Sequence, residues 1–364
     1  MKLKSRNTWS RFCTWTLPAL AASALLWIGC GGGGSGGGGS TSLLHAEVVV
    51  SGLAYPTSLC FAPDGRMFVT EKTTGSIRII DNGVLLPAPF ATLDNNDDGE
   101  RGLLSVVLDP DFTNNGYVYC FHTKSSGTTN EVVRFTANGN VGENPAVIVP
   151  NLPAANNHDG GRLVFGLDGK LYVTLGDVAD AANAQSDSSP AGKVLRYNPD
   201  GSIPSDNPIS GNPLFTKGHR NCFGICVDPD SGTIFVSENG PNCDDEVNRL
   251  SPGQNYGWRP SQPCNDSDPN YTQPIQRFSS IIAPTGITVG SGAYSGSLLM
   301  TSYSDRSLRK IDLSDLESGS VTGVTVLYQH ASNALIDVAM GPDGNLYVAA
   351  GDFGGQGSIL KLLP

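Results

Sequence analysis

The chain has 364 residues, with 23 Lys and Arg against 34 Asp and Glu, for a formal charge of −11. Four of the bases, Lys2, Lys4, Arg6 and Arg11, fall in the first 29 residues; the rest carries 19 against 34, or −15, and such a surface excludes nucleic-acid binding through a basic groove. With 45 Gly, 24 Pro and only 16% charged residues, the composition suits short strands and tight turns and excludes helical bundles and coiled coils.

Residues 1–29 combine a basic start with an apolar stretch from Leu17 to Ile28, the pattern of an export signal. Gly29-Cys30 resembles the end of a bacterial lipoprotein signal, although Trp27 stands where that pattern prefers Leu. The expectation is an exported protein, anchored through a lipid on Cys30 to a bacterial envelope membrane and facing the periplasm or the cell surface. Residues 30–42 form a Gly/Ser tether that can bury nothing. Residues 43–364 read as one domain, and no apolar run within them reaches the ~18 residues of a membrane span.

One unit recurs six times: an apolar strand, a Pro-Asp-Gly or Asp-Pro-Asp turn, then further strands rich in aromatic and β-branched residues. The copies cover residues 58–81, 105–139, 162–201, 224–253, 292–313 and 337–364. Asp-Gly turns reverse the chain because Gly takes positive φ without steric cost. The alternation around them is that of strands. Six such units predict an all-β fold, a six-bladed β-propeller of four-stranded antiparallel blades. The run Ala46–Val50 has no hairpin partner of its own and is expected to join the last blade and close the ring.

Outside the signal stand six cysteines, at 60, 120, 222, 226, 243 and 264. An even number in an exported chain predicts disulfides. Cys243 and Cys264 bracket one loop and form the first pair. Cys60–Cys120 and Cys222–Cys226 follow by elimination. Zinc is the weaker reading, since neither CxxC nor paired His accompanies them.

Propellers act through the loops between repeats, and four of these carry unusual residues. The first runs from Asp94 through Glu100 to Leu104; it opens like an EF-hand, but Ser105 stands where a bidentate Glu is required, so that motif is rejected. The second is Asn156-Asn157-His158-Asp159-Gly160-Gly161. Its glycines leave room for a ligand beside His158, and Asp177, at the end of the next strand, can orient the imidazole of a general base. In the third, Gly218-His219-Arg220-Asn221, Arg220 offers a fixed charge and a fork of donors. The fourth runs from Glu238 through Asp244, Asp245 and Glu246 to Trp258. Its packed carboxylates and Gly-Pro carbonyls point to calcium.

Taken together, Glu-Arg-Gly-Leu-Leu (100–104), Asn-Asn-His-Asp-Gly-Gly-Arg-Leu (156–163), Gly-His-Arg-Asn (218–221) and the long run 238–258 resemble the glucose/sorbosone dehydrogenase family, the soluble aldose sugar dehydrogenases that use pyrroloquinoline quinone (PQQ). The resemblance covers residues 46–364 and implies a six-bladed propeller. It implies oxidation of an aldose at C1 to the lactone, with PQQ and calcium, and electrons passed to an external acceptor. It implies His158 as the base, Asp177 as its partner, and Glu100, Arg220 and Asn221 at the cofactor, with Arg220 polarising its carbonyl. It implies Gly240 and Pro241 as carbonyl ligands of the calcium bound to PQQ, and Glu246 and Tyr256 as ligands of a calcium in the adjoining loop. The family also includes members without quinone activity, so the alternative is a non-catalytic propeller that binds a glycan or a protein.

The chain departs from the family in four places. Glu100 replaces a Gln, Ser304 a Lys, and Ala334 and Ile336 two Arg. PQQ carries three carboxylates, and the last three changes remove their countercharges.

Overall fold

The turn chemistry of the repeats is reproduced atom for atom. In Ala62–Arg66, Gly166–Lys170 and Gly341–Asn345, the first residue's N–H donates to the fifth residue's carbonyl at 2.8, 2.9 and 2.8 Å. In each, the Asp at the third position accepts from the fifth residue's N–H, at 3.1 Å for Asp64, 3.0 Å for Asp168 and 3.1 Å for Asp343. The Gly between them takes φ of +91°, +71° and +77°. The same short motif therefore makes the same hairpin in three different places.

The structure, a computed structural model, describes residues 44–351 and 355–364. The expected signal, Cys30 and the whole tether lie outside these residues. Among the described residues no helix is long and apolar enough to cross a membrane.

The hairpins assemble into six antiparallel sheets. Blade 1 is built from Pro56–Phe61, Met67–Glu71, Ser76–Asp81 and Val84–Leu85, with Ala91–Thr92 also pairing to its third strand. Blade 2 runs from Leu103–Leu108 outward to Val141–Pro153, and blade 3 from Leu163–Phe165 to Leu214–Lys217. Blade 4 runs from Cys222–Val227 to Gln276–Phe278, and blade 5 from Pro284–Val289 to Val321–Gln329. Blade 6 takes Ala334–Met340, Leu346–Gly351 and Gly357–Leu363 from the end of the chain, and its outermost strand, His45–Leu53, from the start. Those two ends pair antiparallel, from His45 with Leu363 to Leu53 with Gly357. The expected closure of the ring is thus made by backbone hydrogen bonds.

Apolar packing lies between blades rather than inside them. Six separate clusters fill the six interfaces, for example Phe68, Phe90, Val106 and Val118 between blades 1 and 2, and Leu53, Val69, Ala349 and Ile359 between blades 6 and 1. A blade is only one sheet thick, so its two apolar faces need neighbours on both sides. The first strand of each blade meets the first strand of the next around a central channel. One ion pair crosses that channel. Arg162, from blade 3, meets Asp337 of blade 6 at 3.2 Å and donates to the carbonyls of Phe223 and Ile336; Asp337 in turn accepts from Leu59 N in blade 1.

Cys243 and Cys264 are bonded, as their bracketing of one loop predicts, with Cα atoms 5.9 Å apart. The other two pairings are wrong: Cys60, Cys120, Cys222 and Cys226 are free thiols. Cys222 and Cys226 lie on one strand four residues apart. That places their Cα atoms roughly 13 Å apart, against a limit near 7 Å for a disulfide. Cys120 is buried in the cluster between blades 1 and 2 and donates to the Val133 carbonyl.

Candidate active site

The loops between blades all enter first strands at one mouth of the channel, and this brings distant parts of the chain together. Glu100 precedes blade 2, His158 precedes blade 3, and Arg220 and Asn221 precede blade 4. Their contacts are direct. Glu100 Oε2 accepts from His158 N at 2.7 Å and from Asn221 Nδ2 at 3.0 Å, while Asn221 Oδ1 accepts from Gly160 N at 3.1 Å. Three predicted loops are therefore tied by one carboxylate and one amide.

His158 is held in the left-handed region, at φ +65°. This turn carries its imidazole to Asp177, with Nδ1 to Oδ1 at 2.6 Å. The same carboxylate accepts from Ala179 N at 2.9 Å and, on its other oxygen, from the Trp258 indole N–H at 2.7 Å. Asp177 is thereby fixed by three groups and almost wholly buried, while the His158 side chain keeps 17% of its surface exposed. An acceptor at Nδ1 selects the tautomer that bears its proton there and presents the Nε2 lone pair. Nε2 makes no hydrogen bond with the described residues. Gly176 is required for this packing, because a Cβ there would lie 2.0 Å from the His158 carbonyl oxygen.

Beside this dyad stands Arg220. Its N–H donates to Glu238 Oε1 at 2.6 Å, its carbonyl accepts from Asp177 N, and Nη1 donates to the Asn239 carbonyl at 3.1 Å. The guanidinium lies over the Trp258 ring, 5.5 Å from its centre. Burial lowers its pKa, and the charges of Asp177 and Glu100 oppose that shift.

Asp159, next to the base, is fully buried. Oδ1 accepts from Asn130 Nδ2 and Ala155 N, and Oδ2 has no partner. Burial pushes this carboxyl up to about 7.

A cavity of about 200 Å³ opens at the same mouth, lined by Tyr55, Glu100, Asn221, Phe223, Asn239, Ala283, Thr285, Tyr303 and Ile336. On the side of blades 5, 6 and 1 its wall is aromatic and aliphatic. Tyr55, Ala334 and Ile336 form one buried cluster there, with Phe223 and Tyr303 packed against it.

Of the acidic loop only Asn239 lines this cavity. Gly240 N is capped by Asp245 Oδ1 at 2.9 Å, and the other oxygen of Asp245 accepts from Ile282 N and Ala283 N. Pro241 follows on the same loop, partly exposed. Glu246 pairs with Arg277 at 3.1 Å and shares the Asn248 amide with Glu238. Burial, and next the charge of Glu238, push Glu246 up to about 8, against the pull of Arg277. Tyr256 stacks on His219, ring centres 4.8 Å apart, and its hydroxyl donates to the Arg249 carbonyl.

Sequence reasoning therefore placed Glu100, His158, Asp177, Arg220 and Asn221 in one constellation, and the structure joins them. It missed Trp258, Glu238, Arg277 and the aromatic wall. Trp258 closed the last motif and was a readable signal. Tyr55, Phe223 and Tyr303 carried none, because each comes from a different blade.

The sequence profile of the Glucose / Sorbosone dehydrogenase family matches residues 53–361. The chain belongs to this family. It is 33% identical over 285 residues to quinoprotein glucose dehydrogenase B of Acinetobacter calcoaceticus, a match covering 68% of this chain and 59% of that relative's length. Among solved structures, an oxidoreductase of Thermus thermophilus described as a glucose dehydrogenase superposes with a TM-score of 0.80 at 35% identity, over 88% of this chain and all of that one. The PQQ-bound aldose sugar dehydrogenase of Streptomyces coelicolor superposes with a TM-score of 0.78 at 29% identity, over 88% of this chain and 98% of that one.

Proposed function

We propose that this protein oxidises an aldose at C1 to the lactone, with His158 as the general base. The observation that carries the reading is the His158–Asp177–Trp258 relay with Arg220 beside it. Nε2 takes the proton of the C1 hydroxyl as the C1 hydrogen passes with its electron pair to the electron acceptor. Asp177 holds the tautomer and stabilises the imidazolium that forms, as the carboxylate of a catalytic triad does. Arg220 supplies a fixed positive charge where negative charge grows. The electrons then leave to an external acceptor.

The relatives point to PQQ, the family resemblance implies calcium as well, and the two fit differently. For calcium the acidic loop is suited: Asp244 Oδ1 and Asn248 Oδ1 are buried oxygens without hydrogen-bond partners, and Glu246 lies beside Glu238 with Arg277 as its near cation. An oxygen-rich set with excess negative charge suits a hard divalent ion. Glu246, Asn248 and Asp244 would hold it. The Tyr256 hydroxyl donates to the Arg249 carbonyl and accepts from Ser251 N, so it is held away from a ligand role by both bonds. PQQ fits poorly. The cavity wall offers Ile336, Ala283 and Tyr303, and among the described residues Glu100 is the only charged one lining it.

In an aldose-oxidation assay with a dye as terminal acceptor, His158→Ala should lower turnover by about 10²–10⁴ with its melting curve unchanged. Equal turnover in wild type and variant removes the base assignment. Chelation should lower the melting temperature, since an ion bound to the native state alone stabilises it by mass action. Glu246→Gln should abolish that shift.

A further inference from the structure

Building on the dehydrogenase reading, we propose that this cavity takes an uncharged planar quinone of the 1,4-naphthoquinone class as its electron acceptor, in place of a tricarboxylate. Three features lead there. The wall formed by Tyr55, Phe223, Tyr303, Ala283 and Ile336 offers flat aromatic and aliphatic surface, which favours an apolar ring system. A carboxylate placed against Ile336, itself 1% exposed, would lose its hydration without gaining a partner.

The second feature is charge. Among the described residues, Glu100 is the only one lining the cavity that brings a full charge, and its carboxylate repels another. The nearby cations are already committed. Arg162, below the cavity, spends its guanidinium on Asp337 and on two carbonyls. Lys72 donates to the Asp97 carbonyl and lies over the Tyr55 ring. Arg220 remains at the His158 side, suited to one polarised carbonyl rather than to three carboxylates.

The third feature is size. About 200 Å³ lies below the ~300–1,000 Å³ typical of sites for larger ligands.

The reaction balances with this acceptor. The C1–H bond breaks and its electron pair passes as hydride to the quinone. The hydroxyl proton goes to His158 Nε2 and then to the reduced quinone oxygen. The C1–O bond becomes the lactone carbonyl, and the quinone leaves as the hydroquinone, having gained two electrons and two protons.

The test uses the full chain with menadione as the neutral probe and PQQ with calcium as the charged one. Binding is followed by tryptophan fluorescence, and turnover by glucose-dependent reduction of each. The wild type should bind menadione at least tenfold more tightly than PQQ and reduce it. Ile336→Lys should gain about 10- to 100-fold in PQQ affinity through a new charge-assisted contact. Because Ile336 is buried, Ser304→Lys serves as the second variant: Ser304 is exposed and adjoins Tyr303 of the wall, and the gain should go the same way. Tighter PQQ binding by the wild type, or no gain in either Lys variant, overturns the proposal. Glucose oxidised with PQQ but not with menadione overturns it and leaves the dehydrogenase reading standing. Glucose oxidised with neither removes both.

Discussion

The two halves of the channel mouth have different chemistry. On the side of blades 2, 3 and 4, nearly every polar group has a partner: Glu100 receives two donors, Asp177 three, and Arg220 is framed by Glu238 and Trp258. On the side of blades 5, 6 and 1 stand Tyr55, Ala283, Tyr303 and Ile336. The geometry of the first half depends on charge and hydrogen bonding. The second half presents apolar surface, with no cation among the described residues that line it. On the proposed reading, proton chemistry belongs to the first half and acceptor selection to the second.

The contrast can be broken most strongly at its foundation. Asp337 lies under the apolar wall and neutralises Arg162 across the channel. Asp337→Ala should leave a buried guanidinium without its counterion and cost ~3–5 kcal/mol of stability in denaturant titration. The double variant Arg162→Met, Asp337→Leu should recover part of that loss, since it removes both charges. A cost below ~1 kcal/mol for the single variant would show that the pair does not brace the wall.

On the polar side, Asp159 is the group that departs from the pattern of satisfied partners. Its folded pKa, about 7, lies above the unfolded value near 3.8 because burial penalises its charged form. The native state therefore binds more protons, so stability is fully present below pH ~4 and is lost as pH rises through ~7. The loss should be on the order of 4 kcal/mol. Asp159→Asn imitates the protonated form. Melting temperatures of variant and wild type should coincide near pH 4 and diverge by pH 8, with the variant higher. Parallel curves would refute the assignment.

The smallest effect sharpens the role of Trp258. Trp258→Phe keeps the ring under Arg220 and deletes one charge-assisted hydrogen bond to Asp177. Such a bond contributes ~1.5–3 kcal/mol, and turnover should fall by about tenfold or more. The loss should fall on kcat rather than KM, since the bond holds Asp177 against His158. A purely structural Trp258 would lower the melting temperature and leave kcat in place.

How much of this could be read in advance differs between local and distant features. The blades were legible because Asp-Gly turns and strand alternation are short-range signals, and the three repeated turns close with the same bonds. The Cys243–Cys264 bridge was legible because one loop brings its ends together. The pairing of Cys222 with Cys226 failed because counting cysteines ignores the length of an extended strand. The acidic loop was half legible. Its carboxylates were visible, but the backbone donors at Ile282 and Ala283 that satisfy Asp245, and Arg277 beside Glu246, come from later in the chain.

The number of blades and the closing strand were readable because each is written in contiguous residues, and so were the loops that carry His158 and Arg220. What lines the cavity beside those loops came from the packing of the blades. Tyr55, Phe223, Tyr303 and Ile336 are far apart in the chain and ordinary in their local context. They become one wall because six sheets, each apolar on both faces, must close into a ring to bury those faces. That closure brings the starts of the six innermost strands to one mouth.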